Sequence, residues 1–313
     1  MAGAVWLHVG TPKSGTSSLQ SYFSRRAQSP GFDYVTLSGK SCCNDLAIAL
    51  NRGRDTLPGL AGALDAALRA SEAPVALLSS EMFYGLAPEA LLDRIPALAA
   101  HPLNVLVYLR RQDRYLEAMY LQKAKNGRFI GSFQDYIDRF HGSGSDYWAM
   151  LAPWRAMQDA GRARLVPRVL EPARLQGGDV VADACALMGL PAPETPEVPQ
   201  VNVSPGLHRV QLLQAAAAAK IGDPRRLQRR LAAAHPQAPE ERGAILSQPE
   251  RRRLVASFAA SNEALRARYF PQETALFAED DLQGEADGGG IAPFTPEQLT
   301  EITRLLEVIA AQG

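Results

Sequence analysis

The chain has 313 residues, 46% of them hydrophobic and 21% charged, and its 33 basic and 33 acidic side chains cancel to a formal charge of zero. These values describe an ordinary globular protein, long enough to bury a core without disulfides or metals, and they suit one large α/β domain or one with a substantial insertion. The balance of charge argues against a duplex nucleic-acid binder, which needs a basic excess to neutralise phosphates.

Two basic stretches, Lys220–Arg230 and Arg251–Arg253, read first as solvated helix faces. The three cysteines are Cys42, Cys43 and Cys185. Neighbouring cysteines make poor disulfide partners and no metal-ligand spacing occurs, a pattern suited to a reducing compartment. The sequence enters an apolar run without a basic leader or a signal-length segment, and no stretch reaches the about 18 apolar residues of a membrane span. The expectation is a soluble, cytoplasmic protein.

Ala4–Val9 is a short apolar run ending at Gly10, the pattern of a strand covered on both faces. Ser14–Arg26 follows as a helix with Leu19, Tyr22 and Phe23 on one side. Asp55–Arg69 reads as a second helix, Pro74–Ser80 as a buried strand and Pro88–Ala100 as helical. Asn104–Leu109 is a third strand and Gln112–Asn126 a third strong helix. Tyr147–Ala160 is helical, and Arg164–Leu170 is a fourth strand weakened by Pro167. Strands alternating with helices predict an α/β fold, a P-loop-like parallel sheet flanked by helices.

From Pro191 the character changes. Pro191–Pro205 is proline-rich and reads as a surface connection. Beyond it come only helical patterns, His208–Lys220, Pro224–Ala234, Pro249–Tyr269 and Pro296–Ala311, with the acidic, glycine-rich Asp280–Gly290 expected as a mobile loop. The expected organisation is an α/β core over residues 1–190 and a helical C-terminal part, 191–313, packed on the same domain.

The chemistry concentrates in HVGTPKSGTSSLQSYF, where two glycines and a proline lie between strand and helix. Gly10 permits a turn that a side chain would obstruct, and Gly15 lets the backbone approach a ligand closely. The helix that follows offers the N–H groups of Ser14 to Ser17 and the positive end of its dipole, an anion site for phosphate or sulfate. Ser14, Thr16, Ser17 and Ser18 add hydroxyls, and Lys13 adds a cation. In an ATP-type P-loop the lysine follows the second glycine. Here Thr16 follows Gly15 and Lys13 precedes it by two positions, so the cation meets the anion from the other end of the loop.

The segment Pro12-Lys13-Ser14-Gly15-Thr16-Ser17 resembles the 5′-phosphosulfate loop, P-K-[ST]-G-T-[ST], of the sulfotransferases that use 3′-phosphoadenosine 5′-phosphosulfate (PAPS). The resemblance covers roughly the first 180 residues. It implies that Pro12 to Ser18 hold the donor's 5′-phosphosulfate and that Lys13 stabilises the bridging oxygen as it leaves. It also implies 3′-phosphoadenosine 5′-phosphate (PAP) as product and no metal. DYWAMLAPWRAMQDAG and LVPRVLE are similar to bacterial carbohydrate-type members, and Asn202-Val203-Ser204 matches their N-x-S element, a tripeptide that also arises by chance as a loop cap.

That family's 3′-phosphate motif joins an arginine at a strand end to a serine eight residues later. Arg110 fits the arginine, and a guanidinium suits forked binding of phosphate. Ala118 stands where the serine is expected, which leaves either a shifted register with Arg111 as ligand or other groups at the 3′-phosphate. The competing reading pairs Arg110, Arg111 and Arg114 with Asp113 and Glu117 along the helix surface.

Transfer to a hydroxyl requires a base. Glu81, at the end of the strand VALLSS, is the candidate, and the SSE element looks like that of glycan-modifying sulfotransferases; its alternative is a carboxylate favoured by a helix dipole. His8, His141 and Asp113 are rivals. The implied function is sulfuryl transfer from PAPS to a hydroxyl, on a carbohydrate or other small-molecule acceptor. Two further readings stay open, a small-molecule kinase using ATP and Mg²⁺ and a non-catalytic adenine-nucleotide-binding protein.

Overall fold

The computed structural model describes residues 3–37, 39–52, 57–142, 144–193, 206–236, 245–282 and 296–310. In chain order the elements begin with β1 (Ala4–Gly10), α1 (Thr16–Arg25), β2 (Gln28–Ser29), β3 (Phe32–Tyr34), α2 (Asn44–Arg52), α3 (Leu57–Ala70) and β4 (Val75–Ser79). Next come α4 (Pro88–Leu92), β5 (Leu103–Leu109), α5 (Gln112–Lys125), α6 (Phe133–Phe140), α7 (Tyr147–Met150), α8 (Ala152–Asp159) and β6 (Arg164–Val169). The remainder is helical: α9 (Val180–Met188), α10 (Leu207–Ala218), α11 (Pro224–Ala234), α12 (Gln248–Ala256), α13 (Ala259–Tyr269) and α14 (Pro296–Ala310). No helix of the described residues is long and apolar enough to cross a membrane.

These elements form two compact units interleaved along the chain. The first takes Met1–Arg111, Asp146–Gln200 and Ala260–Phe277; the second takes Gln112–Ser145, Val201–Ala259 and Ala278–Gly313.

The first unit is the α/β fold expected from the sequence. Its sheet runs β2-β3-β4-β1-β5-β6, with five strands parallel and β2 antiparallel to β3. The apolar run of β1 occupies the interior, with Leu7 opposite Leu78 of β4 and Val105 of β5. Alternation along that strand sends Val5, Leu7 and Val9 into one core with Leu64, Leu68 and Trp154. Trp6 faces a second core, with Leu19 and Phe23 of α1 and Val181 and Cys185 of α9. Both faces are therefore dry, which is why the parallel strands read as continuous hydrophobic runs. Each large apolar side chain so buried stabilises the fold by about 1.5–3 kcal/mol relative to exposure. Pro167 lies in β6 opposite Val107, at the sheet's edge, where its missing N–H removes no inner ladder bond.

The helical stretch expected at Pro88–Ala100 divides, because Pro96 cannot continue a helix: α4 ends at Leu92 and Pro96–Ala100 is a short 3-10 turn. Pro249–Tyr269 is likewise two helices, α12 and α13, the first in the second unit and nearly all of the second in the first.

In the second unit, α5, α6 and the connection between them carry an aromatic cluster of Tyr120, Phe129, Phe133, Tyr136 and Phe140. Ser132 and Asp135 close a reciprocal capping box at the start of α6. Leu213, Leu227, Leu231 and Leu305 join α10, α11 and α14. Arg209, almost fully buried, makes a two-bond fork to Glu301 at 2.7 Å each. In the basic stretch Arg251–Arg253, Arg252 and Arg253 are exposed as expected, whereas the Arg251 guanidinium reaches Asp113 and Glu117 of α5 at 2.6 Å.

Candidate functional site

The site lies wholly in the first unit, at the carboxyl ends of β1, β4 and β5, where open parallel sheets bind ligands. Beyond Gly10 the chain is pinned to β5, because the N–H and hydroxyl of Thr11 both donate to the Tyr108 carbonyl at 3.1 Å. The hydroxyls of Ser14 and Thr16 both donate to the Thr11 carbonyl, the latter at 3.0 Å. Lys13, with φ of 63°, and Gly15, with φ of 82°, turn the chain through left-handed backbone. A Cβ on Gly15 would also stand 3.0 Å from a Val180 methyl of α9, so the backbone favours glycine there and the packing leaves little room for a side chain.

The first backbone bonds of α1 run from Ser18 and Leu19 to the Gly15 carbonyl, at 3.1 and 3.2 Å. The N–H groups of Ser14, Gly15, Thr16 and Ser17 thus have no protein acceptor among the described residues. Together with the positive end of the helix dipole they line a cradle of backbone donors. Pro12, Lys13 and Ser18 are half-buried and Ser17 is exposed, whereas Ser14 and Thr16 are buried with their hydroxyls turned into the loop. Those two side chains brace the cradle.

Glu81 follows β4 and lies against the end of β1. A Cβ built on Gly10 would fall 2.9 Å from the Glu81 carbonyl oxygen and 3.2 Å from its Cα, so only a glycine admits this approach. The flanking residues are tied down. Ser80 N–H donates to the His8 carbonyl at 3.0 Å, the Ser80 hydroxyl to Asn44 Oδ1 at 2.6 Å, and Met82 N–H to Ser80 Oγ at 3.2 Å. Burial raises the Glu81 carboxyl above the usual carboxylate range, and the positive charge of Lys13 opposes this. Burial lowers Lys13, with Glu81 opposing and Arg110 adding to the fall. Arg110, just past β5, donates from Nη1 to the Lys13 carbonyl at 3.1 Å, and its own carbonyl accepts from the Tyr147 hydroxyl at 2.6 Å.

Lys13, Glu81 and Arg110, named from three separate segments of sequence, therefore meet in one cluster. The rivals for the base have other engagements. His8 is buried in β1, bonded through Nδ1 to Ser79 Oγ at 2.8 Å, and burial pushes its pKa down to about 4 against the pull of the Gly10 carbonyl. His141 bonds Ser257 at 2.8 Å and stacks on Phe258, and Asp113 is fully buried against Arg251, all within the second unit. Asp113 and Glu117 receive Arg251 of α12, and Arg114 pairs with Asp281 at 2.7 Å. Ala118 is half-buried on α5 and Arg111 is buried. Asn202-Val203-Ser204 and most of Asp280–Gly290 lie outside the described residues.

Sequence reading missed Thr11, Asn44, Tyr147 and Val180. Each meets the site through a partner distant in sequence, and no local pattern marks such residues.

No protein-family model matches the chain. An uncharacterized protein of Archaeoglobus fulgidus is 27% identical over 137 residues, which is 44% of this chain and 36% of that protein's length. Among solved structures, the crystal structure of a sulfotransferase from Alicyclobacillus acidocaldarius is similar at 19% identity and a TM-score of 0.40, covering 72% of this chain and 96% of that one. A likeness of that size carries no argument about activity, so function has to be read from the residues of the site.

Proposed function

We propose that this chain is a sulfotransferase that moves a sulfuryl group from PAPS to an acceptor hydroxyl on a carbohydrate. The observation that carries the reading is the meeting of Lys13, Glu81 and Arg110 around a loop whose N–H groups face outward at a helix start. A polyanionic phosphosulfate suits this donor set of N–H groups, the hydroxyls of Ser17 and Ser18, and the Lys13 cation. The position of Lys13 ahead of Gly15 favours this reading over an ATP-type loop.

The donor supplies the sulfuryl group and, as leaving group, its 5′-phosphate. Glu81 takes the proton of the acceptor hydroxyl as the acceptor oxygen bonds to sulfur and the bond from sulfur to the bridging phosphate oxygen breaks. Its raised proton affinity suits it to that task. Lys13 and the loop N–H groups stabilise the charge that develops on the bridging oxygen. The catalysis is positioning plus electrostatics, as in phosphoryl transfer.

The test is a thermal-shift titration with PAP beside ATP plus Mg²⁺, followed by transfer assays with PAPS. Selective stabilisation by PAP is expected, and Lys13→Ala should lower turnover by about 10²–10³-fold, as for loss of one transition-state donor. Stabilisation by ATP plus Mg²⁺ alone would replace this reading with a kinase. PAP binding without transfer to any acceptor would leave a nucleotide-binding protein.

A further inference from the structure

We infer that Arg110 is a positioning residue for the phosphosulfate loop, held by Tyr147 and acting through the Lys13 carbonyl rather than by reading the donor's 3′-phosphate. The inference deepens the proposed function and rests on it only for the choice of nucleotide probes.

Lys13 is a non-glycine residue in left-handed backbone, with φ of 63°, a conformation that persists only when its surroundings hold it. The Lys13 carbonyl ends that turn, and Arg110 Nη1 donates to it at 3.1 Å. The bond joins the loop to the end of β5, ninety-seven positions away in sequence. Thr11 is anchored to β5 as well, through Tyr108, so the loop is tied to one strand at both ends of its turn. The arginine is itself fixed at its backbone, where the Tyr147 hydroxyl donates to its carbonyl at 2.6 Å, and Tyr147 is fully buried. A carbonyl held by a guanidinium cannot rotate toward the anion, which keeps an oxygen lone pair out of the cradle and leaves the neighbouring N–H groups turned to the ligand. Ala118, in place of the serine that the 3′-phosphate motif calls for, fits an arginine with this other task.

The decisive variant is Arg110→Met, with Tyr147→Phe as a second that keeps the charge and removes only the hydroxyl. Two measurements are made on the full-length protein. Hydrogen exchange without ligand should show the bonded amides on either side of the loop, those of Thr11, Ser18 and Leu19, exchanging about tenfold faster in Arg110→Met, with a smaller rise in Tyr147→Phe and sheet peptides unchanged. Affinities for PAP and for adenosine 5′-monophosphate should fall by the same factor, so that their ratio stays at the wild-type value, and kcat should fall with them. A purely structural role would speed exchange across the sheet and leave the loop no more affected than the rest.

Unchanged loop exchange in both variants would overturn the inference. So would selective loss of PAP affinity with 5′-monophosphate binding intact, the signature of a 3′-phosphate ligand. If the wild-type protein binds neither nucleotide, the functional reading fails while the exchange measurement still decides the clamp. Should Arg110→Met not fold, Tyr147→Phe carries the same two readouts.

Discussion

Replacing Gly10 by alanine tests whether the approach of β1 to Glu81 is built as described. The added Cβ has two separable costs. The φ of 112° places an L side chain in backbone it rarely adopts, which costs about 1–2 kcal/mol. The same atom would stand 2.9, 3.2 and 3.3 Å from the carbonyl oxygen, Cα and carbonyl carbon of Glu81, all backbone atoms that no rotamer change can move aside. Glu81 cannot slide away freely, because Ser80 is bonded to Asn44 and to His8. Overpacking of this kind adds about 1–3 kcal/mol, for a total of about 2–5 kcal/mol out of a stability of about 5–15 kcal/mol. Gly31→Ala is the control: its φ is 82° and nothing lies within 4 Å of the new Cβ, so only the backbone cost, about 1 kcal/mol, applies. Urea denaturation of both variants followed by circular dichroism measures the difference. If Gly10→Ala loses no more stability than Gly31→Ala, the close contact with Glu81 is refuted, and with it the reason for a glycine there.

The pH profile of kcat/KM follows from the cluster. Glu81 must be ionised to accept a proton, and burial raises it, so the acidic limb should lie above the ordinary glutamate value of about 4.3. Lys13 must stay protonated and burial lowers it, so the alkaline limb should lie below the ordinary lysine value of about 10.4. An acidic limb at or below the ordinary carboxylate value would remove Glu81 as the base. On α9, Asp183 is nearly fully buried and accepts from Arg168 Nε and the Tyr108 hydroxyl, both at 2.9 Å, and from Gln176 N–H at 3.1 Å. Asp183→Asn should cost about 3 kcal/mol, the low end for breaking a buried pair because Arg168 keeps part of its access to water. A fall in the urea midpoint worth less than about 1 kcal/mol would mark that ion pair as dispensable.

The parts of the fold visible in the sequence are those whose physics is local. β1, β4 and β5 lie inside a sheet covered on both faces, so they appear as unbroken apolar runs. The glycine loop is legible for a similar reason, since its backbone demands particular residues. Besides α2, the elements absent from the sequence reading divide into two kinds. β2 and β3 are two and three residues long, too short for any period to register. α6 and α9 carried usable signals: Ser132 and Asp135 form a capping box, and Asp179 and Gly189 bracket α9 as N-cap and left-handed C-cap. In the site, the positions of Lys13, Glu81 and Arg110 at strand ends were readable. The inward turn of the Ser14 and Thr16 hydroxyls was not, because it depends on where the Thr11 carbonyl points once the loop has closed.

The interleaving of the two units has a consequence for how the protein comes into being. By the time β6 leaves the ribosome every strand of the sheet has been made, yet one core remains unfinished. Leu265, Leu276 and Phe277, which complete it, are synthesised only after α10, α11 and α12 of the other unit. For that interval the nascent chain carries an apolar face with nothing to cover it, the state in which chains aggregate or recruit chaperones. A truncation at residue 190 would make the interval permanent, leaving that core without Leu265, Leu276 and Phe277.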